Sequence, residues 1–479
     1  MSLQPEISDS DPAIAMSNLT LDPGLPTLDE MRTALTEAPE GPARAKQFHA
    51  LVIFHRGQYM RSGNQRDLEA ALQNSQAAVI QTPDGNPELP VYLQMLGDCF
   101  TIRFQMTGNI ADLEAALENF RDAIAKLSGG DFRLLACLKG LAACSMSKYL
   151  FLGDLQDLET AIQNYQALVA QIPEGDPDLP VQLQNLAGSF IAQYQRLGEL
   201  KSLDSALETQ QKAISLMPED NQDYLGYLSL ASAFTYRYRR LGDLADLEAS
   251  LQSYQKGVAL IPEGDPYLPV CLHNLALAFR SRYLQLGQLE NLESALQNDR
   301  EAVAQTPDGH PDLHIWLQDL GMTYQDRYQR MGDLQDVEVA LEYFEKAVLL
   351  TLPGHPDRPE HLQHWGIAFA DRYERLGNLE DLEVSLEKKQ SAVAETPQGH
   401  PQLPSRLQSV GVSYRYKYMM LGDLKDLETA MQNFQAAVDQ TPAGHPHLPG
   451  RLESLGVSWR DMYERSGTSR PLQRVFEQL

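Results

Sequence analysis

Cysteine is scarce in this 479-residue chain, and the four present, Cys99, Cys137, Cys144 and Cys271, form neither a CxxC pair nor a zinc-ligand spacing. That excludes a disulfide framework and reads the thiols as small buried side chains. No apolar run approaches the roughly 18 residues needed to span a bilayer. The opening MSLQPEISDSDPAIAMSNL has no basic segment followed by an apolar one, so it is not read as a signal peptide, and a cytoplasmic location is expected. Positive charge is in deficit: 39 Lys and Arg stand against 65 Asp and Glu, a net −26 spread along the whole chain. Such a field repels phosphate backbones and anionic lipid, which removes nucleic acid and membranes as expected partners and favours basic ones. Alternating strand patterns are missing, as are GxGxxG, GxxxxGK[ST] and GxSxG, so the phosphate cradle and the nucleophile elbow find no support.

What is present is a period. A phrase such as LGDLQDLETA (152–161) returns as LGDLADLEAS, LGNLEDLEVS and LGDLKDLETA. Its glycine falls at 63, 108, 153, 198, 242, 287, 332, 377, 422 and 467, in steps of 45 with a single step of 44. Four residues before each glycine stands Tyr or Phe, a second aromatic is common four residues earlier, and Leu or Trp four before that. Steps of four place these side chains on one stripe of a helix, here called helix A. Small residues within it, among them Gly97, Ala142, Gly321, Gly366 and Gly411, let a neighbouring helix approach closely. After the glycine, Ala161, Tyr165, Leu168 and Val169, or Ala430, Phe434, Ala437 and Val438, recur at helical spacing up to a proline, defining helix B.

The acids of the returning phrase are therefore read as helix ends. Gly153 closes helix A in the left-handed conformation that glycine adopts cheaply. Asp154 caps helix B, and Asp157 three residues on is read as its capping-box partner. Nine copies of one acid cluster suit a backbone requirement better than a catalytic group, so no catalytic, cofactor or metal residue is expected. In the second loop, TPDGHPDLH and its relatives carry Asn86, Asp176, Asp265, His310, His355, His400 or His445 before a proline. Because Asn and Asp share this slot, its histidines read as turn formers, and equivalent side chains should lie on the order of 10 Å apart, too far to share a zinc ion. His361 and His364 lack an HExxH frame and read as core or surface residues. A recurring basic residue, Arg103, Lys148, Arg237, Arg282, Arg327, Arg372 or Lys417, is expected to pair with loop carboxylates.

The pattern L-x-x-[LW]-[GA]-x-x-[YF] followed by A-x-x-x-[FY]-x-x-A-x-x-x-x-P resembles the tetratricopeptide (TPR) repeat, as Gly411, Tyr414, Ala430, Phe434, Ala437 and Pro442 illustrate. The period is longer than the 34 residues usual there, which helices extended by about a turn each would absorb. The wording LGDLxDLExAL…TPxGHPDLP further resembles the long-period arrays of basidiomycete fungal proteins, many of which end in a caspase-like CHAT protease domain. That resemblance implies an all-α, α-solenoid fold: a right-handed superhelix of helix-turn-helix units with helix A on the concave side. The expected organisation is a disordered tail over 1–26, a solenoid of about nine repeats plus terminal half-repeats over 27–467, and a partial helix over 468–479.

Residues one, four and five places after the small position of helix A should then face a groove: Tyr236, Leu277, Arg280, Met322, Gln325, Ile367, Val412, Arg415, Tyr416, Val457 and Arg460. An apolar stripe flanked by mixed polar groups suits an amphipathic or basic peptide. Equally, these side chains could simply pack between successive helices A. The expected function is a non-catalytic protein- or peptide-binding scaffold; the alternative is the sensor array of a CHAT-type signalling protein whose effector lies elsewhere.

Overall fold

The computed structural model describes residues 27–218, 223–262 and 264–466. The expected N-terminal tail, the C-terminal segment and Gly467 lie outside the described residues. Twenty helices and no strand occur among those described. A short α1 (Leu28–Glu37), held by a capping box between Thr27 and Glu30, precedes an alternation of helices A and B. The A helices are α2 (Pro42–Ser62), α4 (Leu89–Thr107), α6 (Arg133–Leu152), α8 (Asp178–Leu197), α10 (Tyr224–Leu241), α12 (Leu268–Leu286), α14 (Leu313–Met331), α16 (Arg358–Leu376), α18 (Leu403–Leu421) and α20 (Leu448–Ser466). The B helices are α3 (Gln65–Ile80), α5 (Ile110–Ala125), α7 (Leu155–Val169), α9 (Leu200–Leu216), α11 (Leu244–Leu260), α13 (Leu289–Gln305), α15 (Leu334–Leu350), α17 (Leu379–Ala394) and α19 (Leu424–Asp439).

The chain divides into two compact units within α11, residues 1–253 and 254–479. The A helices α2, α4, α6 and α8 of the first unit and α12, α14, α16 and α18 of the second each pack antiparallel to the B helix that follows, and within each unit these hairpins pack on one another. Each unit is thus an all-α, TPR-like solenoid of helical hairpins. The corner between A and B is only two residues long, and the connection from B to the next A is seven or eight.

That corner forms as its sequence dictates. Gly153 has φ +74° and its N–H donates to the Tyr149 carbonyl at 2.6 Å; the other described corner glycines from Gly63 to Gly422 do the same to the aromatic four residues back. Asn64, Asn109, Asp154, Asp243, Asp333, Asn378 and Asp423 accept the N–H two residues on, which caps helix B. The capping-box role expected of Asp157 is not what the structure shows: its carboxylate is buried and turned back toward helix A.

Between the helices, a small residue on A receives a ring from B. A Cβ on Gly97, Gly321 or Gly411 would meet Phe120, Phe344 or Phe434 at 2.6–2.9 Å, and all three rings are fully buried. Leu113, Leu158 and Leu203 continue this seam in the first unit, and Leu296, Leu320 and Val337 in the second. One described helix, α6, is long and apolar enough to cross a bilayer by composition, which the reading of apolar runs had not picked out; its Leu138, Leu141, Ala142 and Cys144 face neighbouring helices.

Two glycines of similar helical setting separate these effects. Gly411→Val should lower stability by about 1–3 kcal/mol through overpacking against Phe434. Gly456→Ala, whose Cβ meets nothing within 4 Å, should raise it by up to about 1 kcal/mol. Urea midpoints of the two variants check both signs.

Candidate functional site

Ten of the eleven residues expected to line a groove lie in the second unit, and Tyr236 lies in the first. The structure brings four of them together: Val412, Arg415, Tyr416 and Val457 line a recess of about 230 Å³ with Phe434, Glu453 and Ser454. Val412 is 37 % exposed. Arg460 is exposed beyond the recess. Leu277, Met322 and Ile367 are half-buried, and Met322 packs against the core around Leu320 and Phe344. Tyr236 is likewise half-buried and its hydroxyl accepts from Gln195 Nε2 at 2.7 Å.

Three of the polar members are engaged within the chain. Arg280 Nε donates to Asp326 at 2.6 Å, Gln325 Nε2 to Asp371 at 2.5 Å, and Arg415 Nε to Asp461 at 3.0 Å. Each spans 46 residues, one period plus one, so position four of one A helix grips position five of the next. These rungs position the apolar side chains between them.

The recurring basic residue has a partner that is not in the loop. Arg103, Lys148, Arg237, Arg327, Arg372 and Lys417 each meet an acid nine residues on: Asp112, Asp157, Asp246, Asp336, Asp381 and Asp426. All six acids sit in the first turn of helix B. In four cases the guanidinium makes a two-pronged bond, as with Arg327 Nε at 3.0 Å and Nη2 at 2.5 Å from Asp336. The lysine pairs are longer, 3.3 and 3.8 Å, as a single ammonium without a fork would give. Where the acid is absent a neutral contact takes its place: both members change in one hairpin, where Gln193 accepts from Ser202 at 2.7 Å, and in another the unchanged Arg282 reaches Asn291 at 3.4 Å. A spacing of nine, counted across the glycine, was the sequence signal for this contact.

Some polar groups occur in only one hairpin each. The buried position that holds Phe120, Tyr165, Phe344 and Phe434 holds Asp299 in α13 and Lys389 in α17. Asp299 lies 3.3 Å from His273 Nδ1, and Asp319 lies 3.3 Å from Nε2. Burial opposes charging of this imidazole, but the two carboxylates outweigh it and push the group up to about 9. Burial pulls Lys389 down to about 8, and its Nζ donates to Ser413 at 2.8 Å. His314 and His361 form a buried pair at 2.9 Å, with Gln318 on the far nitrogen of His361. Burial drives His361 down to about 3 and His364 to about 4, so both are neutral.

No protein-family model matches this chain, and no curated protein matches it. Solved structures with a similar fold include the C-terminal part of a TPR repeat-containing protein from Cytophaga hutchinsonii, 15 % identical, covering 64 % of this chain and 98 % of that one with a TM-score of 0.44. A STAND signal-transduction ATPase with a tetratricopeptide repeat sensor from Pyrococcus horikoshii is 15 % identical and covers 83 % of this chain and 56 % of that one, with a TM-score of 0.48. YrrB, a TPR protein with an unusual peptide-binding site, is 19 % identical over 50 % of this chain and 95 % of its own, with a TM-score of 0.32.

The spacing-of-nine pair and the buried histidine each give a measurable consequence. Asp336→Ala should cost about 1–3 kcal/mol by leaving Arg327 without its buried acceptor, whereas removing the half-exposed Glu293 on the same arginine should cost under about 1 kcal/mol. The double change Arg327→Gln, Asp336→Ser, which copies Gln193 and Ser202, should recover most of that loss in urea titrations. For His273 the folded state binds its proton more tightly than the unfolded chain. Its contribution is therefore complete below about pH 6.5 and lost as pH rises through about 9. The wild-type urea midpoint should fall between pH 7 and 9.5, and the midpoint of His273→Gln should fall less.

Proposed function

We propose that this chain is a non-catalytic scaffold that holds a protein or peptide segment on the face of its A helices, centred on the recess around Val412, Tyr416 and Val457. The carrying observation is that recess: the exposed Val412 beside the half-buried Val457, flanked by the Arg415–Asp461 rung. Such a surface suits the apolar stripe of an amphipathic helix, with flanking charges setting register. The net charge of −26 favours a basic polar face on that partner and speeds its approach. Polar groups on this face are paired to one another, which disfavours a reactive centre and leaves complementarity as its asset.

A labelled fourteen-residue amphipathic peptide of Leu and Lys tests the reading by fluorescence anisotropy. Binding should weaken severalfold between 50 and 300 mM NaCl, as screening requires. The neutral double variant Val412→Asn, Val457→Asn should lose roughly tenfold or more with unchanged helicity. Equal affinity in the wild type and the double variant would remove the groove assignment.

A further inference from the structure

We propose that His314, His355 and Asp357 form a binding site for a divalent first-row transition ion, zinc in the first instance. A nitrogen of each histidine and a carboxylate oxygen of Asp357 lie within 4.8 Å of one another. The two imidazoles meet edge to face at 4.9 Å between ring centres. Two imidazoles and a carboxylate are the donor set that zinc accepts with one position left for solvent, and a modest closure of the three side chains brings them to bonding distance of a common ion.

The site exists because the array departs from its own pattern. His355 stands in the turn-forming slot, but His314 occupies the second position of α14, where Pro90, Pro180, Pro269, Pro359, Pro404 and Pro449 stand in other hairpins. The two histidines are 41 residues apart, not 45, so they meet across the boundary between consecutive hairpins. The 10 Å separation expected of equivalent slots does not apply to them.

The surrounding hydrogen bonds prepare His314. The Gln318 side-chain Oε1 accepts from His361 Nδ1, so His361 Nε2 is bare and accepts from His314 Nδ1 at 2.9 Å. That leaves a lone pair on His314 Nε2, the form a metal requires, with the ring held by a second layer of contacts. His314 is buried while His355 and Asp357 are 36 % and 46 % exposed at their side chains, so the site has a fixed floor and an open side. His355 Nδ1 accepts the Asp357 N–H at 3.2 Å, which puts its proton on Nε2. Coordination through His355 Nδ1 takes the lone pair that the turn N–H now uses, and coordination through Nε2 moves the proton to Nδ1; either way the turn contact ends. His314 and Asp357 need no such exchange, and they anchor the ion.

Zinc titration of the metal-stripped full chain by calorimetry at pH 7.5 is the test. One equivalent should bind. His314→Pro restores the residue six other hairpins tolerate there, and it should weaken binding by more than about tenfold, as should Asp357→Asn. His355→Asn keeps the turn, as Asn86 does in its own loop, and should weaken binding as well. His400→Asn, an equivalent turn histidine outside the cluster, should leave affinity unchanged. No zinc uptake by the wild type, or uptake equal in His314→Pro and wild type, overturns the proposal.

Discussion

The hairpin depends on the ionic contact that spans its corner. Helix A stops at a left-handed glycine and helix B starts after one further residue, its cap, so the backbone alone permits a range of angles between them. In four hairpins an arginine one turn before the glycine and an aspartate in the first turn of B remove that freedom, because a planar guanidinium and a planar carboxylate meet well in only one relative orientation. The guanidinium is itself held: in Arg103, Arg237, Arg327 and Arg372 it lies 5.2–5.6 Å from the centre of the aromatic ring three residues earlier. Three of those arginines also reach back to an acid on the preceding B helix, Glu69, Asp204 or Glu293. One side chain thus sets the angle inside a hairpin and touches the hairpin before it.

With that angle fixed, the seam between A and B closes only if something small faces something large. Glycine opposite Phe120, Phe344 and Phe434 is the common solution. In α17 the large residue is Lys389, whose stem packs over Gly366 while its ammonium reaches Ser413. In α13 it is Asp299, which is tolerable only because His273 and Thr323 arrive from the two flanking A helices. A buried charge is costly unless paired, and both partners come from helices whose spacing the corner contact has already set.

The corner and the caps were legible in the sequence because each rests on residues about a turn or less apart, and the helices and the period because the same spacing of four and the same phrase recur along the chain. Gly153 and Asp154 carry their roles locally. Asp157 was misread for the same reason: it stands three residues from a cap, and the capping box is the nearest local rule, whereas its actual partner Lys148 lies across a chain reversal. The rungs Arg280–Asp326, Gln325–Asp371 and Arg415–Asp461 need the register between hairpins, one period plus one, which no property of a single repeat reveals. The groove residues were chosen by position within helix A. The rungs show why that choice is incomplete: a side chain can face the expected way and still be taken by the next hairpin.

Charge and recognition divide between different parts of the same hairpins. The acids of the spacing-of-nine pairs are neutralised, five of the six of them buried, and those of the A-helix rungs are paired, so neither set contributes much to the field felt at a distance. The excess of 65 acids over 39 bases is then carried by the remaining groups. A long-range field of this kind accelerates encounter with any basic partner but discriminates poorly among them. Discrimination must come from surfaces where the repeats differ, because identical repeats offer a ligand identical footholds and no preferred register. The second unit carries such differences: the histidines from His310 to His364, Lys389 in the aromatic position, and the recess at Val412 and Val457. An array that varied nowhere would bind without register; this one varies in a few adjacent hairpins, and its specificity has to be sought there.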